Sequence, residues 1–235
     1  MSMTRYVMAV LLCAALAPAR GRALTIDDFS VGPMSLATLS STVQQTLAGL
    51  DPLHVLGGSR FASVGIVSAG ALTVGTRFEL AVDQQRLTFA SDPAGYGYLT
   101  LTYGRDAPLN ADLTADGVDR FVLDVLAVHA GGSAATSLNL IVVTGAPGDP
   151  ARNGSGAFQL AHATPGRYAL PFGSLSAQAG FDLAHVRSIT IERGRFFPGS
   201  EVVLGGLSTV PEPASGASAL AAGAALATLR RRRRR

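Results

Sequence analysis

Short segments in which apolar and polar residues alternate constrain this chain more than any other feature of its sequence. In RSITIE, residues 187–192, Ile189 and Ile191 fall on one side of an extended chain. Ser188, Thr190 and Glu192 fall on the other. This is the period of a half-buried β-strand. Six further segments have the same character: residues 77–82, 86–90, 98–104, 120–128, 136–144 and 167–172. Clusters rich in Gly, Pro, Asp and Asn separate them. Many short strands joined by such turns predict an all-β, antiparallel sandwich or barrel.

Two stretches are ambiguous. Residues 33–50 space Leu36, Leu39, Val43 and Leu47 three and four positions apart, which fits a helix. Their many Ser and Thr residues also fit a strand with a polar face, and among so many strands we favour the strand. The glycine-rich NGSGAF, residues 153–158, predicts a flexible turn. No internal repeat divides the chain, so residues 24–209 are predicted to form a single domain.

The first 23 residues, 1–23, have the organisation of a secretory signal peptide. Arg5 precedes a short apolar run, residues 7–16, and small residues follow at 17–19 and 21–23. A charged start, a short apolar centre and such a site direct a chain to the Sec translocon and signal peptidase. Cys13 lies in the apolar run, and the large Leu12 before it argues against a lipid-anchored cysteine. Cleavage therefore leaves a mature chain without disulfides, thiol catalysis or thiolate metal sites.

The last 26 residues, 210–235, have three parts in a fixed order. Pro211, Glu212 and Pro213 come first, an uncharged run of 16 residues follows at 214–229, and six arginines come last: Arg230, Arg231, Arg232, Arg233, Arg234 and Arg235. As a helix the uncharged run would span about 24 Å, against about 30 Å for the core of a bilayer. Arginines enter a bilayer at high cost and stop transfer. We predict a short transmembrane helix, with the domain outside and the arginines in the cytoplasm.

This ending resembles the PEP-CTERM sorting signal of many Gram-negative bacteria. The resemblance covers residues 210–235 and implies that an exosortase recognises Pro211, Glu212 and Pro213. It also implies a transient anchor in the inner membrane, removal of the tail, and release to the cell surface or the extracellular matrix. A permanently anchored surface protein, whose tail is never cut, is the alternative.

The domain also resembles the exported jelly-roll-like domains that precede this signal. Five short strings carry the resemblance, in order along the chain: residues 26–30, 55–60, 112–125, 170–172 and 186–192. The resemblance implies a single antiparallel β-sandwich of the carbohydrate-binding-module type and names no ligand. The expected role is non-enzymatic, structural or adhesive, with weak binding of an exopolysaccharide left open.

The distribution of charge argues against nucleic acid as a partner. Nine of the 19 basic residues lie in the first 22 and the last six positions, while all 16 acidic residues lie between Asp27 and Glu212. The intervening chain therefore carries ten basic residues against 16 acidic ones, a net charge of −6. Such a chain has no evident basic face for phosphates.

The acidic residues could have a chemical role, and in each case a structural role is the competing interpretation. Asp112, Asp116, Asp119 and Asp124 could serve a secreted carbohydrate-active hydrolase or bind calcium, but their spacing matches no EF-hand loop and a structural role is favoured. Asp27 and Asp28 could help hold a structural calcium ion. The four histidines have no metal-ligand spacing, and no G-x-S-x-G motif is present. We therefore predict no catalytic residues, no metal ligands and no obligate cofactor.

An aromatic side chain is the remaining candidate for ligand contact. Sugar rings stack on exposed aromatic faces, and the chain has no tryptophan. Tyr96, Tyr98 and Tyr103 cluster around a turn, and Tyr96 has Gly on both sides. Tyr96 is therefore the predicted stacking residue, with packing as its competing interpretation.

Overall fold

The chain folds into two antiparallel β-sheets that enclose one apolar core. A computed structural model describes residues 23–38, 41–66, 78–91, 97–129, 136–160, 164–196 and 199–211. Within these ranges the strands are β1 (Leu24–Asp27), β2 (Met34–Thr38), β3 (Val43–Ala48), β4 (Ser59–Ile66), β5 (Phe78–Asp83), β6 (Arg86–Ser91), β7 (Gly97–Tyr103), β8 (Val118–His129), β9 (Thr136–Thr144), β10 (Arg152–Leu160), β11 (Gly166–Pro171), β12 (Ser176–Ala177), β13 (Val186–Phe196) and β14 (Glu201–Pro211). Short 3-10 turns occupy Leu56–Gly58, Ala115–Gly117 and Phe172–Ser174.

The strands divide into two sheets of seven. Sheet A has the order β11-β8-β14-β6-β5-β2, and β1 pairs with β14 beside that path. Sheet B has the order β12-β10-β9-β13-β7-β4-β3. β14 is the hub of sheet A, since β8 lies along its whole length while β6 and β1 pair with its first and last halves. Neighbours in space are often distant in sequence, which is typical of a sandwich with crossing connections.

The core lies between the sheets and is built from alternate residues of each strand. Leu80, Leu87, Phe89, Phe121 and Leu123 of sheet A are fully buried against residues of sheet B, which include Leu101, Leu138, Leu140, Ile189 and Ile191. In β7 the alternation is strict, with Leu99, Leu101 and Tyr103 inside and the residues between them half-exposed. Period-two alternation therefore places the apolar side chains as the sequence predicts.

The structure confirms the predicted all-β, antiparallel sandwich and the seven predicted strands, with ends that differ by one or a few residues. The ambiguous residues 33–50 contain strands and no helix in their described part, as favoured above. They form two strands, because β2 belongs to sheet A and β3 to sheet B. The connection between them therefore crosses from one sheet to the other.

The prediction of a flexible turn at residues 153–158 is wrong. These residues lie in the middle of β10, which pairs with β9 along nine residues. Close packing of neighbouring side chains explains the two glycines. A Cβ at Gly154 would lie 2.5 Å from the ring of Phe181. A Cβ at Gly156 would lie 3.0 Å from Leu170 and Leu175. Glycine inside a strand marks such a close approach as often as it marks a turn.

The last strand runs past the expected end of the domain. β14 ends at Pro211, which pairs with Val118, so two residues of the predicted tail belong to sheet A. Residues 1–22 and 212–235, which carry most of the predicted signal peptide and tail, lie outside the described residues. Among the described residues no helix is long and apolar enough to cross a membrane.

Candidate functional site

The predicted site residues fall mostly outside the part of the chain that the structure describes. Tyr96, Glu212, Pro213 and Arg230 to Arg235 are all in this group. Pro211 is described, at the end of β14. The search for a site within the described ranges therefore starts from the acidic residues and from the two remaining tyrosines of the cluster, Tyr98 and Tyr103.

Asp27 belongs to a buried ion pair. Its two carboxylate oxygens accept hydrogen bonds from Arg60 Nε at 2.5 Å, Arg60 Nη2 at 2.6 Å, the Tyr103 hydroxyl at 2.8 Å and the Phe29 backbone N–H at 2.8 Å. The side chains of Asp27 and Arg60 are fully buried. Four donors satisfy the lone pairs of both oxygens, so this carboxylate has no site left for a metal ion.

Inside the core, the charge of Asp27 stabilises the charged form of Arg60. Burial would lower the pKa of the Arg60 guanidinium, but hydrogen bonds to Asp27 and its negative charge outweigh burial and raise that pKa. Burial, together with the charge of Asp27, raises the pKa of Tyr103 well above its usual range. Tyr103 is therefore a neutral donor inside the core and is unavailable for stacking on a ligand.

Asp28 faces the other way and joins Ser30 and His54. His54 Nδ1 lies 2.6 Å from Asp28 Oδ2 and 2.9 Å from Ser30 Oγ, and Ser30 Oγ donates to Asp28 Oδ1 at 2.6 Å. In a Ser-His-Asp catalytic triad the serine and the aspartate contact opposite ring nitrogens. Here both meet Nδ1, so the geometry ties two loops together and does not activate a nucleophile.

The four aspartates at 112–124 have different partners. Asp112 accepts hydrogen bonds from the Thr114 hydroxyl and the N–H groups of Thr114 and Ala115, while Asp116 has the positive φ of +58°. Asp119 pairs with Arg120 at 2.7 Å and Asp124 with Arg167 at 2.9 Å.

The lowered pKa values of Asp112 and Asp119 do not fit a general acid. Asp112 and Asp116 line a pocket of about 290 Å³ beside the start of β1. Hydrogen bonds from Thr114 and from Arg120 lower the pKa values of Asp112 and Asp119 respectively. A general acid for glycoside hydrolysis needs a raised pKa. In the described part of the chain no group of three or more His, Cys, Asp or Glu residues is arranged to hold a metal ion.

The outer face of sheet B is the most distinctive polar surface. Strand register aligns two rows across six strands, which we call the hydroxyl face: Thr46, Phe61, Thr102, Thr190, Ile141 and Ser155 in one row, and Gln44, Ser63, Thr100, Glu192, Asn139 and Ala157 in the other. Half of these positions are Ser or Thr, of which Ser63 is buried, and Glu192 is the one charged residue among them. Thr102 and Thr190 bond to each other across strands at 3.1 Å. The surface therefore offers many uncharged donors and acceptors in a regular array.

Tyr98 lies at one end of the hydroxyl face in a fixed orientation. It pairs with Gly65 of β4, and a Cβ at Gly65 would lie 2.6 Å from the tyrosine ring. Because Gly65 has no side chain, the ring of Tyr98 can lie directly on the sheet. The Tyr98 hydroxyl is held at 2.7 Å from Thr42 Oγ1. Contacts at both ends of the side chain preorganise the ring, which remains partly exposed.

A second aromatic ring on this face is covered. The guanidinium of Arg105 lies over Phe61, with Cζ 3.6 Å from the ring centroid, and Phe61 is only 8% exposed. The planar guanidinium is thus the accessible group at this point, with its donors at the edges. Tyr98 lies on β7, and Arg105 lies just beyond the end of β7, so the two residues follow one another along the direction of this strand.

The outer face of sheet A differs in charge. Glu79, Asp83 and Arg86 line a shallow surface pocket on β5 and β6, and the Asp124–Arg167 pair lines another beside β8 and β11. Its outward positions therefore mix carboxylates and guanidiniums, while those of sheet B carry hydroxyls and amides. Sequence reasoning named Tyr98 in the tyrosine cluster and singled out Tyr96 instead, although alternation in YLTLTY places Tyr98 on the face opposite to Tyr103.

Comparison with known proteins yields distant structural likeness only. No family model matches the sequence, and no curated protein matches it. Among solved structures, the family 11 carbohydrate-binding module from Clostridium thermocellum in complex with a β-1,3-1,4-mixed-linked tetrasaccharide is 12% identical, with a TM-score of 0.41, and the match covers 82% of this chain and 97% of that one. The family 30 module of a cellulosomal cellulase of the same organism is 11% identical, with a TM-score of 0.40, covering 81% and 98%. A likeness at this distance assigns no ligand to this chain.

Proposed function

We propose that this protein is an exported structural or adhesive component of a bacterial surface or extracellular matrix, and that its sandwich binds a neutral polysaccharide through the hydroxyl face. The observation that carries the second part is the regular array of hydroxyl and amide groups on this face, with the fixed ring of Tyr98 at one end. The domain acts by binding, without catalysis.

The chemistry of the hydroxyl face suits a neutral glycan. A polysaccharide presents hydroxyl groups that both donate and accept, as Ser, Thr, Asn and Gln side chains do. One apolar face of a sugar ring can stack on Tyr98. Among the charged groups described on this face, Glu192 would repel an anionic polymer and Arg105, over Phe61, would attract it. The face therefore has no net preference for an anion, and a neutral chain fits better.

Export rests on the two ends of the sequence. The signal peptide sends the chain across the inner membrane, and the exosortase would cut near Pro211, Glu212 and Pro213. The position of Pro211 at the end of β14 supports this proposal, because cleavage beyond it leaves every described strand intact. The same position keeps the motif next to the domain, with no long linker between them.

Titration calorimetry against neutral polysaccharides, chosen with a glycan array, tests the binding. Tyr98→Ala should weaken binding about tenfold or more, since stacking of one ring on an aromatic side chain is worth about 1–3 kcal/mol in comparable contacts. Tyr98→Phe keeps the ring and should retain most of the affinity. Thr100→Ala on the hydroxyl face should weaken binding, whereas Thr88→Ala on sheet A, the matched control, should not. Equal affinity of Tyr98→Ala and the unaltered protein would refute this site.

Gly65→Ala provides a second test of the Tyr98 contact in the same binding experiment. A methyl group at this position displaces the Tyr98 ring from the sheet. Affinity should fall in the unaltered background and stay constant in the Tyr98→Ala background, because the two residues act through one contact. Independent losses from the two changes would show that the ring is not the common element.

Fractionation of the native host, with and without its exosortase, tests export and processing. Mass spectrometry of the mature protein should find a C-terminus near Glu212 when the exosortase is present and a longer chain when it is absent. An intact Arg235 in the normal host would contradict processing, and a full-length product in the cytosol would contradict export.

A further inference from the structure

Two planar side chains lie over β4 on the hydroxyl face. The ring of Tyr98 lies over Gly65, because a Cβ at Gly65 would be 2.6 Å from that ring. The guanidinium of Arg105 lies over Phe61, with Cζ 3.6 Å from the centre of the Phe61 ring. Gly65 and Phe61 lie on the same face of β4, since they are separated by an even number of positions. All four residues belong to the described ranges 41–66 and 97–129.

The Arg105 guanidinium is held in place while its donors stay free. Stacking on Phe61 fixes one face of the planar group. Its Nε lies 4.0 Å from Asp106 Oδ1, which is beyond hydrogen-bond distance, and the Arg105 side chain is 45% exposed. Among the described residues, no hydrogen bond engages the N–H groups of this guanidinium. A fixed guanidinium with free donors along its edges suits a pair of neighbouring oxygen atoms.

We propose that Arg105 determines the specificity of the glycan site, and that the glycan lies along β4 and β7 with one sugar on Tyr98 and another at Arg105. This role of Arg105 rests on the proposed function. Gly65 and Phe61 are four positions apart, which is about 13 Å along a strand and is spanned by roughly three linked pyranose rings. The guanidinium would donate to two adjacent hydroxyl groups of the sugar at the far end from Tyr98.

The side chains between the two contacts suit a glycan in this direction. Ser63 lies halfway between Phe61 and Gly65 on β4 and is buried. Its partners across the strands, Gln44 and Thr100, are exposed and half-exposed respectively. A glycan along β4 would therefore pass between an amide and a hydroxyl, each of which both donates and accepts hydrogen bonds.

A glycan that crossed the strands would have poorer partners. It would leave Arg105 and pass over Glu192, whose ionised carboxylate only accepts hydrogen bonds, to reach Asn139. On the two strands beyond β13, Ile141 and Ala157 have no hydrogen-bonding side chain. The direction along β4 therefore places more donors and acceptors against a sugar chain.

Calorimetry with oligosaccharides of increasing length tests the role of Arg105. The probes are linear fragments of neutral β-glucan, galactan and mannan, from disaccharide to hexasaccharide, with NMR titration for the weakest. Arg105→Met keeps an apolar cover on Phe61 and removes the donors. For the fragments that bind, it should raise the dissociation constant at least about tenfold for the trisaccharide and longer chains and leave that of the disaccharide unchanged. Tyr98→Ala should weaken binding at every length.

Three further variants separate the alternatives, with the melting temperature of each as a check on folding. Arg105→Lys keeps a cation over Phe61 without the planar pair of donors, so it should lose nearly as much affinity as Arg105→Met. Asn139→Ala tests the direction across the strands and should leave every dissociation constant unchanged. Arg86→Met, the matched control on sheet A, should also have no effect.

Several results would overturn this role while leaving binding at Tyr98 intact. They are full affinity of Arg105→Met or Arg105→Lys for the trisaccharide, an equal loss at all lengths, or a loss for Asn139→Ala as large as that for Arg105→Met. Binding of a polysaccharide without binding of its hexasaccharide would overturn the span. Failure of the unaltered protein to bind any polysaccharide or fragment would instead refute the proposed function, and the role of Arg105 with it.

Discussion

Arg60 and Asp27 meet inside the sandwich, where neither side chain has contact with water. The cost of burying two charges is offset by their mutual attraction and by the full set of hydrogen bonds that surrounds them, including Arg60 Nη1 to the Gly32 carbonyl at 2.8 Å. The guanidinium also lies 5.6 Å from the centre of the Phe29 ring. These contacts join β1, β4 and β7, so one residue pair fixes strands of both sheets relative to each other.

Removing one partner should therefore be severe. Arg60→Met leaves a buried, unpaired carboxylate and should lower the free energy of unfolding by about 3–5 kcal/mol, measured in a denaturant titration. Arg86→Met, at an exposed position, is the matched control and should change it by less than about 0.5 kcal/mol. A loss at Arg60 as small as that at Arg86 would mean that the ion pair contributes little.

At the scale of elements, turns and loop contacts set the geometry where the strands reverse. β5 and β6 are joined by Gln84 and Gln85, with φ angles of +49° and +62°. Positive φ at both central residues is the conformation of a type I′ hairpin, which Asn-Gly favours and Gln-Gln does not. The loops at Asp28 and His54 are linked by a partly exposed ion pair.

The hairpin gives a stabilising prediction. Gln84→Asn combined with Gln85→Gly should raise the free energy of unfolding by roughly 0.5–1 kcal/mol, because both residues adopt left-handed backbone more readily. Replacement of both by Val should lower it, since β-branched side chains clash in that conformation. Thermal unfolding of the two variants measures the opposite signs, and equal shifts would contradict this assignment of the turn.

The Asp28–His54 pair predicts a dependence of stability on pH. The hydrogen bond between His54 and Asp28 and the negative charge of Asp28 raise the pKa of His54. The stabilisation of the folded state by protonated His54 is therefore complete below the ordinary histidine pKa of 6.5 and is lost as pH rises through the raised pKa. Burial would raise the pKa of Asp28, but hydrogen bonds from His54 and Ser30 lower it overall. The stabilisation of the folded state by the ionised Asp28 carboxylate is complete above the ordinary aspartate pKa of 3.8 and is lost as pH falls through the lowered pKa. His54→Gln should therefore cost most stability between about pH 4 and 6.5 and least at high pH, in denaturant titrations at several pH values. A pH-independent difference would refute the ion pair.

On the scale of the whole molecule, β14 ties the termini of the domain into sheet A. β1 pairs with residues 207–209 of β14, and its Asp27 also forms an isolated bridge with Val55. β14 also forms the centre of the sheet between β8 and β6. Leu207 and Thr209 are buried. The last strand therefore holds both the start of the fold and the point at which the predicted tail begins.

Two truncations test this arrangement. A chain that ends at Pro211 should unfold cooperatively with the stability of the longer protein, because it keeps every described strand pair. A chain that ends at Gly206 removes the partner of β1 and the buried Leu207, and should lose its near-ultraviolet circular dichroism and its cooperative transition. Cooperative unfolding of the shorter chain would show that β1 and the end of β14 are dispensable.

The sequence by itself determined the strand content and the positions of seven of the fourteen described strands, because period-two alternation reports which residues one face of a sheet buries. It also carried the candidate export signals, which depend on local composition. Tertiary structure decided what alternation cannot express: which strands are neighbours, why Gly154 and Gly156 lie inside a strand, and how the Asp27 carboxylate meets Arg60, 33 residues away along the chain. It also separated Tyr98 from Tyr103. Contacts between residues far apart in sequence depend on the packing of both sheets, and no short window of the chain contains that information.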